Sequence, residues 1–168
     1  MAERILEADV IIEHLIRFRG VTLQMLEMVP EEKLDWRPDS SVRSFAEVFL
    51  HLAQVEEFYT GGIFNGSWSF ESMQMPGHQL TKDFLKPRLK ASRTSTQANL
   101  DQVDSARLDA IVAVPHIPTK WSIKSWLWYL VEHEVHHKAQ LALYFRLIDL
   151  VPPFFAFVLP PGVRPDVR

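Results

Sequence analysis

The chain has 168 residues, 47% of them hydrophobic and 23% charged, which fits one soluble-type domain with a sizeable apolar core. Its formal net charge of −3, with no basic block, argues against nucleic-acid binding driven by phosphate contacts. It has no cysteine, which excludes disulfides, a thiolate nucleophile and a Cys-based zinc knuckle; this fits a reducing compartment, and a cytoplasmic location is expected.

Residues 1–18 mix acids, Arg and His into apolar positions, unlike a signal peptide. No apolar run reaches the ~18 residues of a membrane span. Ile11, Leu15, Phe18, Thr22, Met25 and Val29 recur at helical spacing and predict a first helix over 2–29, with Pro30 after its end. A polar loop with Trp36 and Pro38 leads to Ser44-Phe45-Ala46-Glu47, a capping-box pattern that opens a second helix. This helix is expected to stop near Gly61-Gly62. Its inward stripe is Val48, His51, Val55 and Phe58.

Asn65-Gly66-Ser67 fits a glycosylation sequon, but without a secretory signal it reads as a turn. A loop rich in Gly, Ser and Met follows over 65–79. Thr81 caps a third helix over about 82–103. Its stripe is Leu85, Leu89, Ser92, Thr96 and Asn99 or Leu100. Those polar positions read as a partly exposed helix; the alternative is that Ser92, Thr96 or Asn99 faces a polar cavity. Residues 104–121 form a long connector with an extended stretch near 110–114, and Ser122 caps a last helix over 123–150. Trp126, Leu130, His133, His137, Gln140 or Leu141, and Tyr144 form its inward stripe. Four helices, no internal repeat and a long connection give an all-α four-helix bundle, one domain over 1–168 with an irregular tail from about 151. The tail aromatics Phe154, Phe155 and Phe157 could cover the bundle mouth or pack on a second subunit, so a homodimer is a candidate assembly.

His133 and His137 lie at i and i+4, on one helical face, and replace apolar residues in a core stripe. Two imidazoles so placed can hold one metal ion, and a third from another helix would leave an open coordination position. His133-Glu134-Val135-His136-His137 also matches the zinc-protease pattern H-E-x-x-H. A metzincin needs Gly and His where this chain has Gln140 and Leu143, and a thermolysin-like enzyme needs a downstream Glu, but none follows Glu134. The third ligand must then lie upstream, and His51 fits.

Leu34-Asp35-Trp36-Arg37-Pro38 and Val42-Arg43-Ser44-Phe45-Ala46-Glu47-Val48-Phe49-Leu50-His51-Leu52-Ala53 resemble the second-helix signature of the DinB/YfiT-like metalloenzymes. Leu130-Val131-Glu132-His133-Glu134-Val135-His136-His137-Lys138-Ala139-Gln140-Leu141 resembles their last-helix signature, with Ala139 where Gly is frequent. The resemblance implies an up-down-down-up bundle and a divalent metal, zinc or nickel, on His51, His133 and His137. It also implies a small-molecule substrate and either hydrolysis or transfer of a low-molecular-weight thiol. A non-catalytic metal-binding or interaction bundle is the rival reading. The helix-three region matches no family signature, so no substrate residue carries over.

Glu47, one turn before His51, is a candidate base or ligand-orienting group, with the capping box as its structural role. Gln54 and Gln140 could line a cavity, whereas Tyr144 reads as core. Glu134 and His136 point about 100° away from the ligand face and read as supporting or solvated groups. His14, His78 and His116 have no partner at helical spacing; each is a weak candidate for a fourth ligand.

Overall fold

The computed structural model describes residues 7–153. The aromatic tail and the first turn expected before Glu7 lie outside the described residues. Helices α1 (Glu7–Met28), α2 (Phe45–Asn65) and α3 (Lys82–Leu100) precede a single turn, α4 (Ser105–Leu108). Strands β1 (Ile111–Ala113) and β2 (Lys120–Ser122) and the long helix α5 (Ile123–Leu147) complete the order. The strands form an antiparallel hairpin with Val112 opposite Trp121, within and just past the expected extended stretch.

The four long helices pack in a ring in which α1 touches α3 and α5, and α2 touches the same two. Contacts along the helices give their directions. Glu7 meets Lys124 and Arg19 meets Glu134, so α1 and α5 run parallel. Phe45 meets Phe145 while Tyr59 meets Trp126, so α2 opposes α5. Glu27 pairs with Lys86 and Arg19 reaches the Leu89 carbonyl, so α3 opposes α1. The result is the up-down-down-up bundle, in which parallel α2 and α3 need the long return loop over 66–81.

The caps sit where the sequence puts them. Ser44 accepts from the Glu47 N–H and Glu47 returns the bond to the Ser44 N–H. Thr81 and Ser122 accept from the N–H groups of Phe84 and Ser125. Each satisfies a donor that a helix start would leave open, worth about 1 kcal/mol.

The end of α2 differs from the expectation. The helix runs through Gly61-Gly62 to Asn65 and closes at Gly66, with φ of 69° and its N–H bonded back to the Gly61 and Gly62 carbonyls. The glycine pair serves close packing instead: a Cβ on Gly62 would lie 2.2 Å from the Trp68 ring, which folds back across the helix. The sequon residues, expected as a turn, instead form the end of α2: Asn65 is its last residue and Gly66 its left-handed cap. Helix α5 stops at Leu147, before the expected 150, because Asp149 takes a left-handed φ of 60°.

Two apolar clusters fill the bundle ends. One gathers Met25, Leu26, Phe45, Phe49, Leu85 and Phe145; the other gathers Ile11, Leu15, Phe58, Tyr59, Trp126 and Leu127. Each such side chain contributes roughly 1.5–3 kcal/mol on burial. Between the clusters lies a polar layer, and there the partly-exposed reading of α3 fails. Ser92 and Thr96 are buried, 3% and 0% exposed, and both hydroxyls donate to Glu56. The stripe turns polar there because it faces charge rather than water.

Candidate metal centre

His51 on α2 and His133 and His137 on α5 converge in mid-bundle. Their ligand-capable nitrogens all lie within 4.8 Å of one another. The ring centroids form a triangle with sides of 5.0, 4.9 and 4.5 Å. His51 Nε2 and His133 Nε2 are 3.1 Å apart. A tetrahedral ion with bonds of about 2.0–2.1 Å sets its ligand nitrogens roughly 3.3 Å apart, so small side-chain adjustments close the set around one ion.

The tautomer of His137 follows from its partners. The Arg43 carbonyl only accepts, so the Tyr144 hydroxyl donates to it, at 3.0 Å. The Gln140 amide nitrogen then donates to the Tyr144 oxygen at 2.9 Å, and the Gln140 oxygen faces His137 Nδ1 at 2.8 Å. Nδ1 therefore carries the proton, and the Nε2 lone pair is left for a metal. Tyr144 is a core residue, as expected, but its hydroxyl anchors this chain.

The imidazoles are held uncharged. Burial, then the charge of Arg43 and the neighbouring His137, pushes His51 down to about 4. Burial, then His137 and His51, pushes His133 down to about 3. His137 is also lowered, mainly by burial, with the Gln140 bond opposing. Without an ion, one Nε2–H of the His51–His133 pair can donate to the other; with the protons on the opposite ring nitrogens, the three lone pairs suit a borderline divalent cation. The donor set thus fits the metal that the sequence suggests.

A cleft of about 610 Å3 opens on this centre. It is lined by His51 and His137, by Gln54 and Gln140 as expected, and by Arg37, Arg43, Glu47, Met73, Met75 and His136. Gln54 holds the return loop by donating to the Gln74 carbonyl at 2.8 Å, which brings both methionines to the rim. Glu47 does more than cap the helix: its Oε1 accepts from Arg37 at 2.9 Å while Oε2 holds the Ser44 N–H at 2.7 Å. Arg37, Arg43 and the methionines escaped the sequence reading, because only the folded loops carry them to the site.

One residue along α5 from His133 the chemistry changes. Glu134, 2% exposed, accepts from Arg19 Nε at 2.8 Å and from Thr22 at 2.9 Å, and also from Arg93. Glu56 accepts from Arg19 at 2.7 Å and from Thr96 at 2.7 Å. Arg93 Nε lies 2.9 Å from Glu56, close enough for charge attraction though off the hydrogen-bonding axis. Two cations and two anions cancel. Burial alone would raise Glu134, but the charges of Arg19 and Arg93 and the bonds from Arg19 and Thr22 hold it at about 2. Glu134 is therefore a buried supporting carboxylate, not a solvated one. His136 is exposed on the cleft rim.

His14, His78 and His116 join no cluster with metal-ligand geometry among the described residues. His14 bonds the Val10 carbonyl and His78 the Gln79 carbonyl, while His116 packs its edge on Phe70.

Comparison with known proteins agrees with this architecture. The DinB superfamily pattern matches residues 14–141, which include all three histidines of the centre. An uncharacterized protein of Bacillus subtilis, YjoA, is 25% identical over 142 residues, which cover 83% of this chain and 90% of YjoA. The crystal structure of YjoA, described as a DinB-like protein, superposes with a TM-score of 0.69 over 86% of this chain and 96% of that one. A DinB-like protein from Bacillus cereus, 16% identical, gives 0.70 over 85% and 93% of the two chains and shares the fold. With the superfamily pattern spanning most of the chain and the same bundle in these relatives, the protein belongs to the DinB superfamily.

Proposed function

We propose that the protein is a divalent-metal-dependent enzyme acting on a small molecule, either as a hydrolase or as a transferase of a low-molecular-weight thiol. One observation carries the reading: three uncharged imidazoles converge within 4.8 Å of one another, two of them, His51 and His137, lining an open cleft. His51, His133 and His137 would hold the ion, zinc or nickel by the chemistry of the donors, and the cleft leaves it accessible. Bound there, such an ion supplies Lewis acidity that lowers the pKa of a coordinated water or thiol.

The chain's own residues do the rest. The Gln140–Tyr144 chain fixes the His137 ring. Glu47 is the carboxylate on the cleft wall and is assigned the role of proton acceptor. Two of its roughly four lone-pair sites are taken by Ser44 and Arg37, which orients the group and leaves capacity for a proton. No described helix is long and apolar enough to cross a membrane.

The test is a paired screen of zinc- and nickel-loaded protein against ester and amide substrates and against thiol-plus-electrophile mixtures. The reading expects turnover that chelation abolishes and that His51→Ala and Glu47→Gln each lose. Turnover that survives chelation, or a fully loaded protein inert across both panels, contradicts it; the latter favours the non-catalytic metal-binding bundle.

A further inference from the structure

The histidine centre is reached from two sides, and the two sides differ in chemistry. The cleft of about 610 Å3 takes in His51 and His137. A second cleft, of about 410 Å3, takes in His51 and His133. Both are bordered by His51 and Met73.

The first cleft is cationic. Of its two arginines, Arg37 is neutralised by Glu47 at 2.9 Å. The Arg43 guanidinium has no hydrogen bond or ion pair among the described residues. Glu47 is the only carboxylate in the lining, and it is already engaged. One uncompensated, planar, permanently charged group therefore faces this cavity. A neutral or cationic occupant would leave that charge unanswered. Among the described residues, the second cleft contains no Asp, Glu, Lys or Arg in its lining. Its walls are Phe58, Phe70, Tyr129, Val114 and Ile117, and Phe70 is left 50% exposed at its edge. Apolar surface in a concave groove gains by being covered.

We propose that the ligand of this site is one amphipathic anion, with its carboxylate-like group on Arg43 and its apolar body in the Phe58–Phe70–Tyr129 groove. Its middle then passes over His51, beside the histidine triangle. The proposal rests on the metal reading for the position of the reacting bond, though binding itself does not require the ion. It makes Arg43 the residue that selects for charge, and Phe70 one that selects for an apolar tail.

The probes are octanoate and its neutral counterpart octanol, titrated calorimetrically into zinc-free and zinc-loaded protein. Wild type, Arg43→Gln and Phe70→Ser are compared; both positions are exposed, and circular dichroism checks that the variants keep the fold. The expected result is octanoate binding about tenfold tighter than octanol, the worth of one charge-assisted contact. Arg43→Gln should erase that preference by weakening octanoate alone, and Phe70→Ser should weaken both probes. Because a carboxylate could also ligate zinc, the Arg43-dependent preference must persist without the ion. If zinc fails to bind but this preference remains, the metal reading falls and the anion site stands. Equal binding of the two probes, an unchanged octanoate affinity in Arg43→Gln, or a preference that vanishes on zinc removal overturns the proposal.

Discussion

Two polar groups sit side by side in the middle of this bundle, one built from two helices and the other from all four long ones, and they are opposites. His51 and His133 belong to an open set of three uncharged imidazoles whose ligand-capable nitrogens converge. Glu134, next to His133 in the chain, and Glu56, a little over a turn past His51, belong to a set of four charges in which each carboxylate is held by arginine and hydroxyl donors. Burial of polar groups is common to both, so burial alone does not mark a site. What separates them is charge and access: the charged set is neutral without a ligand, although Arg93 Nε and Nη1 keep no hydrogen-bond partner among the described residues, whereas the histidine set carries no charge and opens on a cleft.

The largest effect expected from that contrast is on stability. Glu134→Ala strands Arg19 and Arg93 with one anion between them, and should cost ~3–5 kcal/mol in urea unfolding. His51→Ala, in contrast, should leave the zinc-free protein within ~1 kcal/mol of wild type, since it removes a half-buried group from a crowded set. A His51→Ala penalty as large as that of Glu134→Ala would make the histidines structural and dissolve the distinction.

Acid should separate the two sets by pH. In the zinc-free protein His51 and His133 titrate near 4 and 3, against an ordinary value of 6.5. Between those values the unfolded chain binds more protons, so stability is full above pH 6.5 and falls as pH drops through that window. Glu134, at about 2 against 4.5, acts in the same direction but in a lower window. Urea midpoints measured across pH should therefore begin to fall near 6.5, and added zinc should raise the midpoints without moving that onset, which the unfolded chain sets. A midpoint flat from pH 7 to 4.5 would show that the histidines carry no such strain.

A finer effect concerns the hydrogen bond behind His137. Gln140→Leu removes the acceptor for Nδ1–H and should weaken zinc affinity by about 10–100-fold without changing the fold. Smallest is the cap: Ser44→Ala should cost about 1 kcal/mol and leave the metal stoichiometry unchanged.

Much of this was legible in the sequence because it depends on local spacing. The caps at Ser44, Thr81 and Ser122, the histidine pair one turn apart and the third histidine on the α2 stripe all follow from helical periodicity. The charged layer was not, since Arg19, Glu56, Arg93 and Glu134 come from four helices and only tertiary packing shows that they cancel. Its one local trace was the polar break at Ser92 and Thr96 in α3. The glycine pair misled in a similar way: local propensity says stop at Gly61, but the demand for small residues came from Trp68 across the turn. Loop residues such as Arg43 and Met73 reach the cleft only through bonds like Gln54 to Gln74, which no periodicity encodes.

The most direct test of the central claim is elemental analysis of protein purified without an affinity tag, for wild type and for His51→Ala, His133→Ala and His137→Ala. One divalent ion per chain is expected in the wild type and markedly less in each folded variant. A folded wild type that contains no metal, and takes up none when zinc or nickel is added, would contradict the account.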